Sequence, residues 1–259
     1  MNGLPGTTGE PLFDAHFHII DSRFPLLANQ GYLPPAYTCD DYLRAVRGLG
    51  IVGGAVVSGS FQAFDQTYLV DALARLGDGF VGVTQLPATV SDEEVLRLNA
   101  AGVRALRFNV KRGGSAGLPE APSLARRVHE LAGWHVEFYV DSAELDALHP
   151  LLRNLPRFSI DHLGLSRHGF GTLLKLAERG ARVKATGFGR LDFDVAQALR
   201  DLAAANPDCL MFGTDLPSTR APRPFNASDI ALVRDALDET MARKALWQNG
   251  RDFYFPGGG

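Results

Sequence analysis

Three short runs carry side chains that could do chemistry together. The first is Asp14-Ala15-His16-Phe17-His18. On a strand, alternation puts His16 and His18 on one face and Phe17 on the other. Two adjacent imidazoles can ligate a metal ion or polarise one substrate oxygen. The second run, Asp161-His162-Leu163-Gly164, adds a third imidazole. The third is Met211-Phe212-Gly213-Thr214-Asp215-Leu216-Pro217. A buried carboxylate without a partner is costly, so Asp215 must face a cation, a donor or a reacting group. Its plainer use, as a helix cap, is disfavoured because the next helical pattern starts only near Ser228.

Cationic and hydroxylic groups complete the candidate set. Arg107 lies among Ala105, Leu106 and Phe108, where a guanidinium needs an anion to offset its desolvation. A bidentate carboxylate, from substrate or from the protein itself, is the natural partner. Arg112 precedes Gly113-Gly114 and reads either as a second anion contact or as an exposed loop charge. Ser60 ends an apolar run, Tyr32 sits in a long Pro- and Gly-containing loop, and Tyr139 ends another apolar run. Arg190 follows the Lys184-Ala185-Thr186-Gly187 turn, and Arg167 follows the Asp161–Gly164 run. His129 and His149 fall in helical patterns, and His168 in a loop; none of the three is taken into the site.

These residues need elements to position them. Apolar β-rich runs occur at Leu12–Ile20, Gly54–Ser60, Phe80–Leu86, Ala105–Lys111, His135–Val140, Arg157–Gly164, Ala181–Gly187 and Cys209–Asp215. Most are continuous rather than alternating, as strands buried on both faces require. Helical patterns follow them at Asp41–Leu49, Gln66–Leu76, Asp92–Ala101, Ser123–Leu131, Ala143–Leu152, Phe170–Arg179, Phe193–Ala205 and Ser228–Trp247. Ser91 with Glu94 forms a capping-box pattern, and Ser142 and Asp40 are plausible caps. Eight βα units over 259 residues, about 32 each, predict an α/β fold of (β/α)8 TIM-barrel type; an open doubly wound sheet is the rival. No low-complexity linker divides the chain, so residues 1–259 read as one domain with a flexible tail over residues 1–10. In a barrel, chemistry sits at the C-terminal strand ends, which is where the three runs fall.

Composition narrows the class. The chain is 46% hydrophobic and 21% charged, with 26 basic against 29 acidic side chains. That excludes a disordered chain, and it lacks the basic excess of a nucleic-acid binder. Cys39 and Cys209 are far apart and read as reduced. The N-terminal run has no secretory-signal pattern and no apolar run is long enough to span a membrane. A soluble, cytoplasmic protein is expected.

Together Asp14–Ile19, Asp161–Gly164, Lys184–Gly187 and Phe212–Pro217 resemble the amidohydrolase superfamily. The likeness is to its amidohydrolase family 2, in the branch of 2-pyrone-4,6-dicarboxylate lactonase and related sugar-lactone hydrolases. Arg107–Arg112, reading RFNVKR, is also similar to that branch, and the likeness runs from about Phe13 to Phe255. It implies a metal-dependent-hydrolase type of barrel, with Ser60, Tyr32 and Tyr139 touching substrate oxygens. The superfamily's usual metal set is the paired histidines, a fifth-strand His, a sixth-strand His and the final Asp. Here His16, His18, His162 and Asp215 are present, but His135 lies at the wrong end of its strand and Tyr139 stands where that ligand would be. The lactonase branch works without metal, so no cofactor is expected; the alternative is one Zn²⁺ or Mn²⁺ on His16, His18 and Asp215. The dicarboxylate lactonase pattern carries an Arg directly after the DHLG-like run, where this chain has Leu165, with Arg167 two residues on.

The expected activity is a hydrolase opening a small anionic lactone, a cyclic carboxylic ester. Asp215 would take a proton from water, His16, His18 and His162 would stabilise the developing oxyanion, and Arg107 and Arg112 would hold a substrate carboxylate. Rival readings are a metal-dependent amidohydrolase or decarboxylase, a sugar-lactone isomerase, and a barrel that binds sugar acids without turnover. Neither nucleic acid nor membrane is an expected partner. Specificity is assigned to the loops Phe24–Thr38, Gly113–Pro122 and Pro217–Asn226.

Overall fold

The computed structural model describes residues 10–257, so the expected tail, apart from Glu10, lies outside the described residues. Eight strands form one parallel sheet in sequence order. They are β1 (Leu12–Phe17), β2 (Ile51–Val57), β3 (Phe80–Thr84), β4 (Val103–Asn109), β5 (His135–Tyr139), β6 (Phe158–Ile160), β7 (Arg182–Ala185) and β8 (Leu210–Phe212). Each is followed by a helix: α1 (Cys39–Ala45), α2 (Thr67–Leu76), α3 (Asp92–Ala100), α4 (Ala121–Ala132), α5 (Leu145–Leu152), α6 (Phe170–Glu178), α7 (Val195–Ala205) and α8 (Ser228–Ala236). The sheet wraps into a nearly closed (β/α)8 barrel, and all eight expected strands are present.

The ring closes where β8 meets β1. There the Asp215 N–H donates to the His16 carbonyl at 2.7 Å, and the His18 N–H donates to the Leu216 carbonyl at 2.7 Å. The Asp14 carboxylate spans the same seam, accepting from the Thr214 N–H at 2.8 Å and its hydroxyl at 2.7 Å. Gly213 permits this approach: a Cβ there would lie 2.7 Å from the His16 nitrogen.

Two apolar layers hold the barrel. The larger packs the outer sheet face against the helices, with Phe17 stacked on Tyr42 of α1 at 3.7 Å. The smaller fills the lower barrel with Phe13, Ala15, Ala55, Val57, Val81, Val83, Ala105 and Met211. A register shift in β1 between Asp14 and Phe17 places an extra residue there. Bulges of this kind re-aim side chains. Phe13 and Ala15 join the lower core, and beyond the shift His16 and His18 point to the upper barrel.

The last expected helix, Ser228–Trp247, is corrected. α8 stops at Ala236, Leu237 is extended, and Asp238 caps a new helix, α9 (Glu239–Arg243), by accepting from the Met241 N–H at 2.9 Å. A π-helical turn, Lys244–Gln248, leads into α10 (Asn249–Tyr254). α10 plugs the barrel floor, with Tyr254 stacked on Phe13 at 5.5 Å. The caps also differ in part. Ser91 accepts from the Glu94 N–H as expected. Thr38, rather than Asp40, caps α1 in a reciprocal pair with Asp41. Asp141 rather than Ser142 caps the turn before α5, because the Ser142 hydroxyl is engaged by the Gly164 and Ser166 carbonyls. No helix among the described residues is long and apolar enough to cross a membrane.

Candidate active site

The upper barrel opens into a pocket lined by polar and aromatic side chains from several strand ends and loops. Of the expected residues, His18, Ser60, Arg107, Arg112, Tyr139, His162, Arg190 and Tyr32 all line it. His16 and Asp215 form the buried layer directly beneath. The three runs therefore converge. Arg167 does not join them: it is half-exposed, pairs with Asp201 at 3.3 Å and stacks over Phe170 at 4.6 Å. The cause is the backbone after β6, where His162, Leu163, Gly164 and Leu165 all take positive φ and turn the chain outward. His168 is exposed and also stays away, and Leu165 leaves no cation at its place.

Polar atoms converge at the centre. The His18 Nδ1 lies 2.7 Å from the Val57 carbonyl, which can only accept, so Nδ1 carries the proton. In the neutral ring Nε2 is then bare, and it faces Asp215 Oδ1 at 3.7 Å. The His16 Nε2 faces the same oxygen at 3.9 Å. Neither His16 Nε2 nor Asp215 Oδ1 has a hydrogen-bond partner, although both are buried. The separations are right for a water, or a cation, to be shared among the three atoms. Asp215 itself is held at φ 58, a left-handed conformation that Asp tolerates better than most residues.

Buried charges beneath the pocket balance in pairs. Arg107 donates to Asp161 Oδ2 through Nη2 at 2.8 Å and Nε at 3.2 Å, and to the Ser58 carbonyl at 2.9 Å. Its anion is thus the protein's own, the internal alternative. Arg190 clasps Asp215 Oδ2 at 2.7 and 2.8 Å. Lys184 pairs with Glu137, which also accepts from Tyr254 and sits 3.1 Å from His135. Burial raises the Asp215 carboxyl, but the Arg190 guanidinium together with His162, His18 and His16 outweighs it and holds the group well below the usual carboxylate range. Burial likewise opposes ionisation of Asp161, yet Arg107 with His16 and Lys184 keeps it low. Glu137, Lys184 and Asp161 were absent from the expected contacts, although a charge inside an apolar strand signals that a buried partner exists.

Burial moves the histidines the other way. His16 is pushed down to about 3 and His135 to about 4, while His162 lies well below the ordinary imidazole range. The unfolded chain protonates all three near 6.5, so between pH 6.5 and 4 it binds more protons than the folded chain. Stability is thus present above pH 6.5 and lost as the pH falls. Asp14, pushed up to about 6 by burial, works oppositely, favouring the folded state as the pH drops from 6. Three against one leaves about two protons, or on the order of 3 kcal/mol per pH unit between pH 6 and 5. Urea midpoints at pH 7, 6 and 5 are expected to fall in that order; constant or rising midpoints contradict neutral buried histidines.

Comparison with known proteins places this geometry. A sequence profile described as amidohydrolase matches residues 13–255. The D-galactarolactone isomerase of Agrobacterium fabrum is 28% identical, covering 95% of this chain and 93% of its own. The 2-pyrone-4,6-dicarboxylate hydrolase of Comamonas testosteroni is 29% identical over 79% of this chain and 76% of its own. An apo crystal structure from Agrobacterium tumefaciens, 24% identical, superposes with a TM-score of 0.84 over 96% of this chain and 97% of the other.

Proposed function

The chain belongs to the amidohydrolase family, and from that premise we propose that it opens a small anionic lactone by attack of water on the ring carbonyl. The observation that carries this reading is the unpartnered Asp215 Oδ1 facing two imidazole nitrogens. A water placed there gives one proton to Asp215 and directs the other toward His18 Nε2, aiming its lone pair at the carbonyl carbon. The water oxygen bonds to that carbon while Asp215 takes the proton. The tetrahedral oxyanion then collapses, the ring C–O bond breaks, and Asp215 returns the proton to the leaving ring oxygen, giving a hydroxy acid.

His18 has its Nδ1 proton committed to Val57, so oxyanion stabilisation falls to other groups on the wall. His162, held neutral, and the Tyr139 and Ser60 hydroxyls supply it. Arg190 keeps Asp215 ionised, so the carboxylate is always in the form able to accept. Arg107 positions Asp161, whose Oδ1 lies 3.5 Å from the His16 Nδ1, and the Lys184 ammonium lies 3.4 Å from the same nitrogen. Similarity to both a lactone hydrolase and a lactone isomerase supports the substrate class. In the isomerase variant the same groups would exchange protons with a sugar lactone without net uptake of water.

A second reading rests on the same atoms. His16 Nε2, His18 Nε2 and Asp215 Oδ1 are three converging donors, the number that a catalytic zinc takes from protein. The His18 Nδ1–carbonyl bond is also the outer contact of a metal-ligating imidazole. One Zn²⁺ or Mn²⁺ fits these donors and would supply Lewis-acid polarisation of the carbonyl. Against it, Arg190 already neutralises Asp215. The metal-free reading therefore stands first.

The test is a panel of sugar lactones, pyrone carboxylates and muconolactones, assayed with and without a chelator alongside elemental analysis. Ring opening with a product one water heavier, undiminished by chelation and with metal far below one per chain, is expected. Stoichiometric metal with activity lost on chelation and restored by re-addition assigns the second reading. A product of unchanged mass assigns the isomerase.

A further inference from the structure

Four arginines line the pocket, and no Asp or Glu does, among the described residues. Two of the four are neutralised from below, Arg107 by Asp161 and Arg190 by Asp215. The other two, Arg112 and Arg220, have no carboxylate within salt-bridge distance among the described residues. The pocket therefore presents two uncompensated positive charges, both on its rim. Arg220 stands on the loop after β8, five residues beyond Asp215, and had not been singled out from the sequence.

The arrangement is built rather than loose. The Arg220 guanidinium lies over the Tyr32 ring at 4.5 Å and donates to the Asn29 carbonyl. The Asn29 side-chain amide in turn donates to the Arg112 carbonyl at 3.1 Å. Asn29 and Tyr32 face each other in a short antiparallel bridge. One residue pair of the first loop thus holds the Arg220 guanidinium and the Arg112 backbone. Burial, with Arg112 next among the causes, lowers the pKa of Arg220. Two neighbouring guanidiniums with no counter-charge, that of Arg220 already oriented, make a receiver for an oxyanion.

Resting on the lactone reading above, we infer that Arg220, together with Arg112, is the specificity determinant that receives a carboxylate borne by the lactone, while Arg107 and Arg190 serve the protein's own carboxylates. The substrate is then a lactone whose anionic group lies at the end remote from the ring carbonyl. Asp215 and Arg220 share one loop, so that loop fixes the spacing between proton acceptor and anion receiver.

The test uses muconolactone, its methyl ester and citrate on the full chain, with Arg220→Met, Arg220→Lys and Arg112→Met. Arg167→Met, on the surface, is the control. Arg220→Met is expected to raise KM for muconolactone at least tenfold with kcat changed less than threefold. KM for the methyl ester should move less than twofold, and Arg220→Lys should recover part of the loss. Equal effects on acid and ester, or no effect on either, overturn the assignment. Citrate binding by calorimetry separates the two readings, because it needs no turnover. If the wild-type chain opens no lactone yet Arg220→Met loses citrate affinity tenfold, the receiver stands and the lactone reading falls. If citrate binds both proteins equally, the receiver falls.

Discussion

Asp215→Asn is expected to lower kcat for lactone opening by about 10³-fold while leaving the fold intact. Proton transfer by a placed side chain is worth about 10²–10⁴-fold, and here the carboxylate also orients the water between two imidazoles. The amide keeps the size and can still accept from Arg190 through its oxygen, so the clasp at 2.7 Å is weakened rather than removed. What it loses is the lone pair that takes the proton. Circular dichroism should stay near wild type and KM should shift little, while the urea midpoint should fall, because Arg190 loses the charge of its buried partner. Near-normal turnover by this variant would remove Asp215 from the chemistry and with it the proposed mechanism. Loss of both fold and activity would instead show that the ion pair's main duty is structural.

Lys184→Met is expected to cost about 3–5 kcal/mol of stability, the range for stripping one partner from a buried ion pair. Lys184 and Glu137 are both fully buried, and no solvent can reach the charge left behind. His135, at 3.1 Å from Glu137, is held neutral by burial and offers a hydrogen bond but no replacement charge. Adding Glu137→Leu to Lys184→Met should recover most of the loss, because an apolar pair of similar volume carries no desolvation cost. Urea unfolding of both single variants and the double variant measures the coupling. Additive losses would mean that the two residues act independently, and the pairing would then carry no weight in the fold.

How far the sequence could be read follows from the range of each interaction. The eight strands were legible because each is a local apolar run, and His16 with His18 because alternation is also local. The end of α8 was missed, since nothing in Leu237-Asp238 breaks the helical pattern strongly and only the capping by Asp238 ends it. α10 was missed because it is short and contains Gly250; Phe253 and Tyr254 form a helix there by plugging the barrel. Arg107 was recognised as needing an anion, but its partner lies 54 residues away, just beyond the end of β6. Which carboxylate it meets depends on how β4, β5 and β6 align, and pattern does not reveal register. Arg167 and Arg220 show the same limit in loops. Two similar side chains follow strand ends, and backbone turns alone decide that one leaves the pocket while the other enters it.

The seam between β8 and β1 has a consequence for the order in which the molecule is assembled. Asp14 and Thr214, which join across it, are 200 residues apart in the chain. Contacts of such separation carry the greatest closure cost and depend on nearly everything between them being in place. Asp215, the proposed proton acceptor, and the two imidazoles face each other only across this joint. During synthesis, which proceeds from the N-terminal end, a nascent chain carries His16 and His18 from the outset but lacks Asp215 until the last strand is made. Catalytic competence therefore belongs to the completed ring and to no portion of it. A partly assembled chain is chemically silent until its first and last strands meet.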